Sequence, residues 1–181
     1  RMDMLSEHRT ESGGARQEHR ETQHGENMTH REKQYGENVA HFETQHAENV
    51  SFVRNKLGDE AAAELDACYK DIRAFRDTRH TENVTHRKGQ YGENTAAWSD
   101  QIKADQAFFN SLKDPSLTRE DIRAKLKEYK SGRRQELKDW KDTQGGENKE
   151  HRETQKSEWE QKRKERRERM RGWWKKHRDK E

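Results

Sequence analysis

Ten histidines and one cysteine are the residues here whose types could do chemistry. Imidazoles bind metals or move protons near neutral pH, and a thiolate is a nucleophile or a metal ligand. A metal site on one helix needs histidines at i,i+4 or a Cys/His cluster. Here His8, His19, His30 and His41 stand eleven residues apart, about 16 Å along a helix. The pairs His19/His24 and His41/His46 are five apart and diverge. One helix cannot chelate with them, and only a site between chains stays open to them; no metal is assigned, and no other cofactor is expected. The histidines are expected to pair with glutamate instead. Glu26–His30, Glu37–His41, Glu82–His86 and Glu147–His151 are all i,i+4 with the acid first, an order worth a few tenths of a kcal/mol per pair. Residues 19–51 hold three Lys/Arg, six Glu and five His, so protonation would carry that segment from −3 to +2. Cys68 falls on an apolar stripe and reads as packing. No nucleophile–base arrangement or phosphate loop is visible, so no catalytic residue is assigned and a non-enzymatic protein is expected.

What must position these residues is short of apolar material. Only 25% of the 181 residues are hydrophobic and 41% are charged. Leu, Ile, Val and Phe total 19, far below the fifth of a chain at which disorder becomes the default. Against disorder stand a single proline and the dominance of Glu, Lys, Arg and Gln, all good helix formers. A chain with so little to bury is expected to be ordered by a partner, either itself or another helical protein in a large assembly. No stretch approaches the ~20 apolar residues of a membrane span, and no signal-peptide core is present. The chain begins at Arg1 rather than Met, which is compatible with processing, and its localisation is not legible.

The organising feature is an eleven-residue repeat. Blocks start at His8, His19, His30, His41 and Phe52, return from Phe75 as FRDTRHTENVT HRKGQYGENTA, and return again from Trp140. Eleven residues over three turns is 3.67 per turn, which favours straight or slightly right-handed helices. The predicted fold is all-α: elongated hendecad helices, coiled-coil-like, with a helical hairpin in the middle.

Block positions four, seven and eleven carry small residues and form one stripe on a helix. The predicted packing seam comprises Thr22, Gly25, Thr29, Gly36, Ala40, Thr44, Ala47, Ser51, Thr81, Gly92 and Gly146. Each glycine costs a helix about 1 kcal/mol relative to alanine. Close approach of another helix backbone is the reason this reading supplies.

Between the repeats lie amphipathic segments. Val53, Leu57, Ala61, Leu65, Cys68, Ile72 and Phe75 form one apolar stripe. Asp114-Pro115-Ser116 breaks the next helix, and Thr118 is a predicted N-cap with Asp121 at N3, flanked by Leu117 and Ile122 as a hydrophobic staple. A hairpin follows, with a core of Trp98, Ile102, Phe109, Leu112, Ile122, Leu126, Tyr129, Leu137 and Trp140, and residues 52–77 as a candidate third member. The expected organisation is 1–51 repeat helix, 52–97 amphipathic helix running into a second repeat pair, 98–140 hairpin turning at Pro115, and 141–181 repeat helix with a basic tail.

That tail holds eleven Lys/Arg and four Asp/Glu from Lys162 onward. Lys162, Arg163, Arg166, Arg167, Arg169, Arg171, Lys175 and Lys176, with Trp173 and Trp174, could neutralise phosphates and stack on bases, or sit at an anionic surface.

The eleven-residue period with Thr, Gln, Glu and Gly resembles that of late-embryogenesis-abundant desiccation proteins, with His, Arg and Asn in place of their alanine- and lysine-rich blocks. The spaced threonines are also similar to those of helical antifreeze proteins, although Lys33 and Asn55 interrupt the row. These resemblances imply a stress-protective or ice-binding helix. The residues themselves point first to a structural protein whose helices pack laterally into a filament or scaffold, and second to a helical spacer whose tail binds nucleic acid or an anionic surface.

Overall fold

The computed structural model describes the backbone of residues 2–178 and the side chains of residues 13–178. The chain is all-α. Three helices, α1 (Met2–Leu57), α2 (Asp59–Ser111) and α3 (Arg119–His177), hold nearly all of it, and there is no strand among the described residues.

A single residue separates α1 from α2. Gly58 adopts φ +89, the left-handed conformation that an L side chain resists. Its N–H donates to the Arg54 carbonyl at 3.0 Å, closing α1 with an αL cap, and its own carbonyl accepts from Ala62 at 3.2 Å to start α2. Arg54 and Lys56 in the last turn of α1, and Asp59 and Glu60 in the first turn of α2, suit the helix dipoles on each side. The apolar stripe expected to run unbroken from Val53 to Phe75 is therefore split here. Gly58 sits in the small-residue register of the repeat, and that periodicity masked its role as a helix stop.

The second reversal follows the sequence closely. The Asp114 carboxylate accepts from the Ser116 N–H at 2.9 Å and hydroxyl at 2.7 Å, and these bonds hold its pKa below the usual range. The Asp121 N–H donates to Thr118 Oγ1 at 3.2 Å, while the Thr118 N–H donates to Asp121 Oδ2 at 3.0 Å. These reciprocal bonds are the expected capping box.

The helices form two compact units. Unit one combines the N-terminal part of α1 through His24 with His86–His151. Unit two combines Gly25–Thr85 with the chain from Arg152 onward. In unit one the helix beside the hairpin is the N-terminal part of α1, as the 3.5 Å approach of Ile102 to the Cβ position of Gly13 indicates. Residues 52–77, the candidate third member, belong to unit two. The core is thin. Ala61, Ala62, Cys68, Ile72, Leu112, Trp173 and His177 are the buried residues among those described, and most other inward side chains are half-buried.

Candidate functional site

With few aliphatic residues, the helices meet through rings. In unit two Tyr35 of α1 stacks on His80 of α2, centroids 3.6 Å apart and planes 4° apart. His46 stacks on Tyr69 at 3.7 Å and 4°. In unit one the equivalent pair is His24 on Tyr91, at 3.7 Å and 9°. The three residues on α1 are eleven apart and so are their partners on α2, each pair lying symmetrically about the Leu57–Gly58 junction. Such stacks contribute about 0.5–1.5 kcal/mol beyond the area they bury.

Polar tips are tied down around the rings. Tyr35 donates its hydroxyl proton to Asp77, and Arg73 donates to the same hydroxyl at 3.0 Å. His46 Nε2 lies 2.9 Å from Asp66, which also pairs with Lys70 at 2.7 Å. The Lys70 ammonium first, then His46, holds the Asp66 carboxyl below its ordinary range.

A second set of contacts joins α2 to α3. In unit one His86 stacks on His151 at 4.0 Å, Phe108 stacks on Tyr129 at 3.8 Å, and Gln144 donates to Glu93 at 2.8 Å. The Tyr129 hydroxyl donates to Asp105 at 2.5 Å, and burial together with that carboxylate pushes its pKa up to about 12. In unit two Arg79 pairs with Glu158, and Phe75 meets Trp159 edge-on at 5.0 Å.

The C-terminal end of α3 is docked on the start of α2. Trp173 is 7% exposed and its indole N–H donates to the Ala61 carbonyl at 3.0 Å. Asp71 accepts from Lys162 at 2.9 Å and Arg169 at 3.2 Å. Lys176 bridges Glu60 and Glu64, and the buried His177 reaches Glu64 at 3.0 Å. The Lys162 ammonium, ahead of Arg169, depresses the Asp71 pKa, and Lys176, ahead of His177, depresses that of Glu64. Glu60 and then Glu64 raise the Lys176 pKa in return. Of the ten tail residues that the alternative reading offers to an outside partner, Lys162, Arg169, Trp173 and Lys176 are thus engaged by α2. Arg163, Arg166, Arg167, Arg171, Trp174 and Lys175 remain exposed.

The seam residues are placed elsewhere. Thr22, Gly25, Thr29, Gly36, Ala40, Thr44, Ala47, Ser51, Thr81, Gly92 and Gly146 are all exposed. A Cβ added at Gly25, Gly36, Gly92 or Gly146 would meet nothing within 4 Å. The hydroxyls of Thr22, Thr29, Thr44 and Thr81 turn back onto carbonyls four residues earlier, each at 3.0 Å. The chain's own helices therefore meet on other faces.

In the hairpin, Leu112 is buried, and Trp98, Ile102, Phe109, Ile122, Leu126, Tyr129 and Trp140 are half-buried. Leu137 is a correction, being 47% exposed. The register set by Phe108–Tyr129 and Glu93–Gln144 brings it level with Ala97 to Asp100, where α2 offers mostly short or polar side chains as cover. The i,i+4 pairs expected on α1, Glu26–His30 and Glu37–His41, do not form among the described residues; Glu37 pairs instead with Lys33 at 3.9 Å, with both side chains well exposed.

Sequence reasoning looked for histidine chemistry at the block starts and missed the stacked rings at block position six. A signal existed: that position reads His24, Tyr35, His46 on α1 and Tyr69, His80, Tyr91 on α2, so folding at Gly58 sets every His against a Tyr. A second unexpected feature lies on α3 in unit one. Arg119, Arg123, Lys127, Lys130, Arg134, Lys138, Lys141, Gly145 and Lys149 step by 4, 4, 3, 4, 4, 3, 4 and 4, forming one exposed face. Among the described residues no cluster of three or more His, Cys, Asp or Glu could hold a metal, and no helix is long and apolar enough to cross a membrane. Comparison of the chain with family models, curated proteins and solved structures finds no match.

Proposed function

We propose that this is a structural protein whose hendecad helices pair internally through rings and pack laterally with other copies through the small-residue seam, in the manner of a coiled coil. The observation that carries the reading is that the seam stays open after the chain has packed on itself, with free space over Gly25 and Gly36. A glycine in mid-helix that meets nothing costs about 1 kcal/mol with no gain inside the chain. Repeating it at Gly25 and Gly36 on α1, Gly92 on α2 and Gly146 on α3 gains a purpose when the stripe on each helix is closed by a helix of another copy. The internal contacts support the hendecad part of the reading, since the stacked pairs recur at eleven-residue steps on α1 and α2. A filament or scaffold follows if one copy's seam meets a different face of the next, because heterologous contacts do not close on themselves unless the rotation does.

The test is light scattering after size exclusion, on the wild type and on the double variant Gly25→Leu, Gly36→Leu. At neither position does an added Cβ meet a neighbour inside the chain, and leucine is a better helix former than glycine, so helicity by circular dichroism should hold or rise. Assembly should be lost by steric block. A wild type that stays monomeric at high concentration, or leucine variants that assemble as the wild type does, would show that the seam faces solvent.

A further inference from the structure

The cationic face of α3 in unit one has no role in the lateral packing proposed above. From Arg119 to Lys149 its nine positions hold eight Lys or Arg, one glycine and no acid. Thirty residues of helix make this row about 45 Å long. The acids of the same helix segment, among them Glu128, Glu136, Asp139 and Glu147, lie off the row. A solvated helix surface gains by mixing signs at i,i+4, and like charges at that spacing oppose one another. Segregation of this kind therefore disfavours the isolated chain and favours a bound anion. From Arg119 to Lys141 none of the seven cations makes an ion pair among the described residues. Block position six, which this row holds at Arg123, Arg134 and Gly145, carries the stacked rings on α1 and α2, so a position used there for helix pairing has been given over to charge at Arg123 and Arg134.

We infer that this row binds the phosphate backbone of duplex nucleic acid without sequence preference. The chemistry of the row selects among polyanions. It has no aromatic residue to stack on exposed bases, as a single-strand surface would. It has no apolar side chain to enter a lipid headgroup layer, as an interfacial helix would. What it offers is a rigid line of cations roughly every 4.5–6 Å, and a phosphate backbone is neutralised by such cations with release of counterions. This surface is separate from the C-terminal tail, whose Lys162, Arg169 and Lys176 are spent on Asp71, Glu60 and Glu64.

The experiment uses the full chain and a fluorescein-labelled, mixed-sequence DNA duplex of about thirty base pairs, more than twice the ~13 that 45 Å spans. Anisotropy is followed from about 50 to 200 mM salt. One variant carries Lys130→Gln, Arg134→Gln, Lys138→Gln and Lys141→Gln. A control of equal net charge carries Arg16→Gln, Arg31→Gln, Lys56→Gln and Lys88→Gln, exposed positions off the row. The wild type should bind with steep salt dependence. The row variant should lower the slope of log K against log salt by about 3–4 and weaken binding at least tenfold at intermediate salt. The control should stay within about threefold, and circular dichroism should show all three equally helical. The inference is overturned by absence of binding at the lowest salt, or by row and control variants that weaken equally. It is also overturned by binding confined to anionic vesicles, or by a salt-sensitive self-association that the row variant abolishes without any DNA binding.

Discussion

Replacing Trp173 with alanine should be among the most damaging single changes available in unit two. The side chain is 7% exposed in a region where few residues are buried at all, and its indole N–H holds the Ala61 carbonyl at 3.0 Å. Truncating a buried Trp to Ala costs about 3–5 kcal/mol through lost apolar transfer and the cavity left behind. The site is a shallow helical seam that can partly collapse, so the lower end, about 3 kcal/mol, is expected. Trp173→Phe keeps most of the ring and loses the hydrogen bond, a change of about 1 kcal/mol. Trp174 supplies the internal reference, because it is 58% exposed and its removal should stay within about 0.5 kcal/mol. Urea unfolding of the three variants by circular dichroism reads the free energies. Hydrogen exchange over residues 59–75 and 162–177 locates the loss. If Trp173→Ala and Trp174→Ala destabilise equally, the tail is not anchored on Ala61, and its cations are as free as the sequence suggests.

Four further outcomes can be checked. Thr118→Ala removes the oxygen that accepts the Asp121 N–H, and should cost about 1 kcal/mol locally, seen as faster amide exchange at residues 119–126. A double-mutant cycle of His24→Ala and Tyr91→Ala should return a coupling of about 0.5–1.5 kcal/mol, and additive effects would mean the stacked geometry contributes nothing. Gly25→Ala, with open space at its Cβ and ordinary helical backbone, should raise thermal stability of the unassembled chain by up to about 1 kcal/mol, whereas Gly58→Ala should lower it because φ there is +89. The pH response of tail docking follows from the shifted groups. Glu64 and Asp71 have depressed pKa values, so their contribution is present above the ordinary carboxylate range and is lost as pH falls through and below about 4; Lys176 is raised, so its contribution is present below about 10.5 and is lost as pH rises past its folded value. Trp fluorescence across pH 7 to about 2.5 should therefore report release of Trp173 on the acid side, more readily at low salt-bridge strength in Lys162→Gln.

Local physics was legible in the residues alone. Helix throughout follows from one proline in 181 residues and a surplus of Glu, Lys, Arg and Gln, since propensity acts residue by residue. The start of α3 at Thr118 was equally plain, because a capping box is closed by groups three residues apart. The eleven-residue period also stood in the sequence and recurs in the spacing of the stacked rings.

Which positions of that period would mate was a different matter. In most proteins the apolar stripe names the buried face, but here nearly every face is polar. The choice then falls to complementarity between residues far apart in the chain, His24 with Tyr91 and Tyr35 with His80. That complementarity depends on where the chain reverses. Gly58 looks in the sequence like one more small residue at block position seven, and only its backbone conformation distinguishes it from Gly36. The same distance hid the tail's partners. Lys176 and Trp173 find Glu60 and Ala61 more than a hundred residues upstream, and a charge run by itself cannot say whether its counter-charges lie on its own chain. Short-range order was written in spacing and propensity. The pairing of faces belongs to the tertiary structure, because with so few apolar side chains the register of two reversals, rather than hydrophobic burial, decides what meets what.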